Sequence, residues 1–83
     1  MNAPKKYAKS EIVEAMQWFD TVENREAFAT WFEDNGNVFE TFGNVVCLDW
    51  DQAEEGEWIV LDEDGDFYSL SDFNFRAQYE VAS

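Results

Sequence analysis

The chain has 83 residues, of which 19 are acidic and 5 basic, and no histidine, giving a formal charge of −14 at pH 7. Charge of this sign repels phosphate backbones and anionic headgroups, which argues against direct binding to DNA, RNA or a membrane surface. The missing imidazole removes Ser–His and Cys–His catalytic pairs and the commonest metal ligand.

One domain fits this length, close to the lower limit for folding without disulfides or metal. Four Trp, eight Phe and three Tyr supply the core, each able to bury roughly 150–250 Å². A single cysteine, Cys47, rules out an intrachain disulfide and points to a reducing compartment. No apolar run approaches the roughly 20 residues of a membrane span, and the basic start lacks the apolar segment of a signal peptide. Lys5, Lys6 and Lys9 mark residues 1–9 as a flexible basic N-terminus. Residues 10–83 form a single α+β domain that keeps every acid, with only Arg25 and Arg76 as cations.

In chain order, Glu11 to Phe19 alternates as a strand should. Ile12, Glu14, Met16 and Trp18 have one parity, and Val13, Ala15, Gln17 and Phe19 the other. From Val22 to Asn35 the period becomes helical, with Phe28, Trp31 and Phe32 on one face. Asp20, Thr21 or Asn24 can cap its start, and Asn35-Gly36 closes it. Glu33 and Asp34 oppose the helix dipole there, a small penalty that suggests another purpose for them.

Val38 to Phe42 and Val45 to Trp50 flank a turn at Gly43-Asn44, and an acidic loop covers Asp51 to Glu57. The central hairpin follows. Trp58 to Leu61 and Phe67-Tyr68 enclose a tight turn at Asp64-Gly65. Ser71 or Asp72 caps a short helical turn, and Arg76 to Val81 reads as a last strand. The expected architecture is α+β, one α-helix packed on a curved antiparallel β-sheet of five or six strands. Its core is expected to hold Trp18, Phe28, Trp31, Phe32, Trp58, Phe67 and Tyr79, with Cys47 buried as a small hydrophobe.

Four segments occur in a telling order: Val13-Glu14-Ala15-Met16-Gln17-Trp18, Gly56-Glu57-Trp58-Ile59-Val60, Gly65-Asp66-Phe67-Tyr68, and Asp72-Phe73 before Tyr79-Glu80. Over most of its length the chain resembles a family of small tailed-bacteriophage and prophage proteins. That family carries Val-Glu-Ala-x-Gln-Trp, Gly-Asp-Trp-Ile-Ile, Gly-Glu-Phe-Tyr and a closing Asp-Ile-Phe-x-x-Thr-Tyr-Glu. The resemblance implies a phage origin, no assigned catalytic site, and residence in the cytoplasm of the infected bacterial host. Where the family has Pro before Gly-Asp-Trp and Pro-Cys-Lys-Pro after Phe-Tyr, this chain has Glu55 and Ser69-Leu70-Ser71. Its acidity is then its own and favours a specialised surface.

No phosphate-binding glycine loop occurs. Asp62, Asp64 and Asp66 alternate like a calcium loop, but positions 6 and 12 counted from Asp62 hold Phe67 and Phe73 where an EF-hand needs Gly and Glu. The expectation is a non-enzyme with no metal site and no cofactor. Its partner-binding residues are expected to be Asp49, Trp50, Asp51, Glu54, Glu55, Glu57, Asp62, Glu63, Asp64 and Asp66, acids around an exposed Trp anchor. They would meet a basic host protein, a nucleic-acid-binding enzyme or factor, as a DNA mimic, with charge steering the encounter. The alternatives are a phage structural or assembly accessory, dimerising through Trp50 or sheet edges, and an acidic solubilised domain without mimicry.

Overall fold

Residues 12–18 determine the layering. Neighbouring side chains on a strand point to opposite faces, and here both faces are apolar, so the strand needs cover on both sides. The computed structural model, which describes residues 3–8, 12–48 and 51–81, provides that cover. Its elements are β1 (Lys5–Ala8), β2 (Ile12–Gln17), α1 (Val22–Asp34), β3 (Glu40–Phe42), β4 (Val45–Cys47), β5 (Gln52–Ala53), β6 (Trp58–Leu61), β7 (Phe67–Leu70), α2 (Asp72–Gln78) and β8 (Glu80–Val81). Asp49 and Trp50, two of the expected partner-binding residues, lie outside the described residues.

The class is α+β, but the strands divide between two antiparallel sheets and a second helix is present. One sheet has five strands in the order β7-β6-β2-β1-β8, the other three in the order β3-β4-β5. This corrects the single sheet with one helix. Lys5–Ala8, within the segment read as a basic lead-in, pairs with β2 on one side and β8 on the other.

The five-stranded sheet lies between the helices. Met16, Trp18, Ile59 and Leu61 pack with Phe28, Trp31 and Phe32 of α1, while Val13, Ala15 and Val60 pack with Phe75 of α2. The small sheet adds Val46 and Ala53 to the α1 side. Alternation within β4 buries Val46 and turns Cys47 to solvent, correcting the expected burial of the thiol. Trp58, Phe67 and Tyr79 are half-buried at the margins of these clusters.

Thr21 caps α1, its hydroxyl accepting the Asn24 amide at 3.1 Å. Asn24 is itself buried: its Oδ1 accepts the Phe19 amide at 2.8 Å and its Nδ2 donates to the Gln17 carbonyl at 3.2 Å, tying β2 to the helix. At the far end the Gly36 amide donates to Glu33 O and the Asn37 amide to Phe32 O. That closure requires the left-handed backbone Gly36 adopts, φ +75°.

Arg76 to Gln78 are helical rather than extended, and β8 is only Glu80–Val81. Phe75 and Tyr79, four apart, come together on a helix but would be separated on a strand. As α2 winds, Phe75 stacks on Trp58 at 3.9 Å and on Tyr79 at 5.1 Å between ring centroids.

Candidate acidic interface

The β6–β7 connection places the largest group of candidate acids. The Asp62 amide donates to Asp66 O at 3.0 Å and the Gly65 amide to Asp62 O at 3.1 Å, while Gly65 takes φ +88°. This is a three-residue loop, Glu63-Asp64-Gly65, ending in a left-handed glycine, in place of the two-residue turn expected at Asp64-Gly65. Asp62 Oδ1 accepts the amides of Asp64 and Asp66 at 2.9 and 3.0 Å, so this side chain shapes the loop. Glu63, Asp64 and Asp66 remain exposed. Single carboxylate oxygens of Asp62, Asp64 and Asp66 lie within 4.8 Å of one another.

Asp51 has a different position. Its Oδ2 accepts the Ser69 hydroxyl at 2.5 Å and its Oδ1 the Gln52 amide at 2.8 Å, and Ser69 Oγ also reaches Gln52 O at 3.1 Å. These bonds join β5, an edge of the small sheet, to β7, an edge of the large one. The Ser69 hydroxyl bond holds the Asp51 carboxyl below its ordinary range against the opposing effect of burial, and the Gln52 and Ser69 amides add to the lowering. Asp51 is a fastener between sheets.

Glu54, Glu55 and Glu57 occupy the other end of β6. Glu57 Oε1 accepts the Glu54 amide at 2.7 Å, and Gly56 and Glu57 are tied to the Trp18 backbone. Glu55 accepts a long bond, 3.5 Å, from Asn44. Glu54 and Glu55 are exposed and Glu57 half-buried. Four residues of β6 at about 3.3 Å each put this turn on the order of 15 Å from the 62–66 loop, beyond a Debye length of about 8 Å in physiological salt. Ser69, the partner of Asp51, lies opposite Ile59, so Asp51 sits between the 62–66 loop at one end of β6 and the turn of Glu54, Glu55 and Glu57 at the other. What this arrangement offers is fixed negative charge on backbone-bonded turns.

Two features of the site were not singled out by sequence. Asp72 Oδ1 accepts three donors: Trp58 Nε1 at 2.8 Å, Arg76 Nε at 2.9 Å and Gln17 Nε2 at 3.4 Å. The Trp58 bond first, then Arg76, holds its carboxyl below the ordinary value. The second is an open groove of about 630 Å³ between Ala3-Pro4 and one stripe of α1. The spacing of Glu23, Glu26, Thr30 and Asp34 marks the helix stripe, but not the groove, which Ala3-Pro4 completes.

Compared with known proteins, the chain matches no family model, no curated protein and no solved structure.

Proposed function

We propose that this chain is a small acidic protein of phage origin that binds a basic, nucleic-acid-binding protein of the bacterial host and modulates it by presenting nucleic-acid-like charge. One observation carries the reading. Both arginines are engaged within the fold, Arg25 with Asp20 and Arg76 with Asp72, while Glu54, Glu55, Glu63, Asp64 and Asp66 stand exposed on turns whose shape the backbone fixes. Charge carried on turns of settled backbone leaves little chain to order on meeting a cationic groove, and it accelerates encounter.

The test is displacement of a labelled DNA duplex from heparin-purified host DNA-binding proteins. The wild-type chain should compete, and competition should weaken steeply between about 50 and 200 mM salt, as phosphate-like contacts do. Neutralising Glu54, Glu55, Glu63, Asp64 and Asp66 together to Gln or Asn should abolish it with the fold intact by circular dichroism. Undiminished competition by that variant sinks the reading.

A phage assembly role is favoured by a different feature: Phe42 is 83 % exposed on β3, which among the described residues pairs with β4 alone. Self-association in sedimentation velocity, lost on Phe42→Ser, would support that alternative.

A further inference from the structure

We infer that the free edge of β3 is a docking site for one extended segment of the basic partner, whose outward side chains read apolar, cationic, apolar against Val38, Glu40 and Phe42. This inference rests on the reading that the partner is basic, and it adds a backbone-paired apolar contact to the charge contact proposed above.

Exposure alternates through residues 37–42. The Phe39 ring turns inward against Trp18, Phe28 and Phe32, at 5.9, 6.1 and 5.7 Å between centroids, which obliges Val38 and Glu40 to face out. Val38 is 73 % and Phe42 83 % exposed. Across β4, Val45 lies beside Phe42 and the exposed Cys47 beside Glu40, so this face is apolar around a single carboxylate. Exposed apolar side chains gathered in one place mark contact surfaces.

The backbone at this edge suits an added strand. Gly43-Asn44 joins β3 to β4, with Phe42 opposite Val45 and Thr41 opposite Val46. Bonded and unbonded pairs alternate in an antiparallel ladder, and the pair closing a two-residue turn is bonded. The Thr41 N–H and C=O therefore point away from β4, at an edge of the small sheet. The Thr41 hydroxyl is engaged on the inner face, where it accepts Arg25 Nη1 at 3.1 Å. Residues 38–42 span roughly 17 Å, enough to seat about five residues of extended chain.

Charge decides the occupant. The strand has neither Lys nor Pro to guard its edge, and Glu40 is its one charge. Val38 and Cys47 line a cleft of about 50 Å³ with Gly65 and Asp66; too small for a ligand, it shows that the strip and the 62–66 loop touch. A second copy would bring another Glu40 and another such loop against these groups, whereas a cationic segment complements both. The chain's own Lys6 enters on β1, in the row Lys6, Glu14, Leu61, Phe67, and Lys5 in the adjacent row ending at Tyr68. Their backbone is thus three strand spacings, about 14 Å, from the strand to which the loop returns, beyond a Debye length of about 8 Å.

The test titrates the full chain into a fluorescein-labelled peptide, Lys-Ser-Val-Ser-Lys-Ser-Val-Ser-Lys, whose pattern fits the edge in either direction. A second peptide with Ser in place of Val, equal in charge, should bind about tenfold more weakly. A third, N-methylated at its two middle serines and equal in side chains, should lose a similar factor of about ten because it cannot donate to Thr41. Val38→Ser/Phe42→Ser should cost about tenfold for the first peptide, and Glu40→Lys at least as much. All three positions are exposed, and the N-methylated peptide tests the edge on the unaltered chain. Equal binding of the three peptides, no binding of any, or unchanged binding by Val38→Ser/Phe42→Ser would overturn the inference. So would a dimer in sedimentation velocity that strengthens with salt and is lost on Phe42→Ser, which gives the edge to a second copy. DNA displacement by the wild type together with negative peptide results defeats the edge and leaves the proposed function standing; the reverse pattern defeats the proposed function alone.

Discussion

On the α1 face of the five-stranded sheet, Trp18, Phe28, Phe32, Ile59 and Leu61 meet as a broad apolar core in which rings contact edge to face, Trp18 and Phe28 at 5.5 Å and Phe28 and Phe32 at 6.1 Å. On the α2 face a smaller set, Val13, Ala15, Val60 and Phe75, is closed by the Trp58–Phe75–Tyr79 stack and by three donors converging on the Asp72 carboxylate. The first face depends on excluded water and close packing, which pH and salt barely touch. The second depends in part on an ionised side chain and responds to both. Acids in this chain thus have separable duties: Asp72 and Asp51 hold elements together, while Glu63, Asp64 and Asp66 only face outward.

Phe28→Ala should give the largest stability effect, a loss of about 3–5 kcal/mol from a cavity the surrounding rings cannot fill, read from urea midpoints. Phe75→Ala should lose less, because its neighbours are fewer and nearer the surface. Equal losses would break the contrast between the faces. Asn24→Ala should follow at about 1–3 kcal/mol, as the Phe19 amide and Gln17 carbonyl lose their partner in a buried place.

Acid should then separate the faces. Asp72 and Asp51 have carboxyls lowered in the folded state. Their contribution is fully present above the unfolded carboxylate pKa, about 3.9, and is lost as pH falls from there through the folded value. Urea midpoints compared at neutral and strongly acid pH should therefore fall less for Asp72→Asn than for the wild type, with Asp51→Asn showing the same trend at the β5–β7 junction. A wild-type slope in both variants would mean these bonds contribute nothing. The smallest effect belongs to Glu63→Gln/Asp64→Asn/Asp66→Asn, whose melting temperature should hold or rise slightly while added salt stabilises it less than the wild type. A clear drop would show that these exposed acids also support the fold.

Much of this architecture was readable where periodicity is strong. The alternation of Val13, Ala15, Met16 and Trp18, the helical spacing of Phe28, Trp31 and Phe32, and the glycine after Asn35 each correspond to an element or a cap in place. The division into two sheets was hidden because it depends on a side chain: Asp51 joins β5 to β7 where a continuous sheet would have a backbone ladder. The helical turn capped at Ser71 was legible, but its extension through Gln78 was not, because Arg76 to Val81 reads as a strand and the stack on Trp58 and the Asp72–Arg76 pair that favour winding lie beyond that pattern. Cys47 was misplaced by parity, since Val46 takes the buried position. For the acids, sequence located the clusters but could not tell a carboxylate engaged by amides, such as Asp62, from one open to a partner, such as Asp64. The α1 groove depends on Ala3-Pro4 lying beside a helix distant in sequence, which no local pattern encodes.

The engagement of both guanidinium groups, together with lysines confined to residues 1–9, limits how copies of this protein can approach each other. Beyond that short segment the two cations are each already paired with an acid, so an ordered lattice or filament gains from positive charge imported as counterions or as a basic companion. Polyvalent cations are accordingly the additives to vary first when growing crystals.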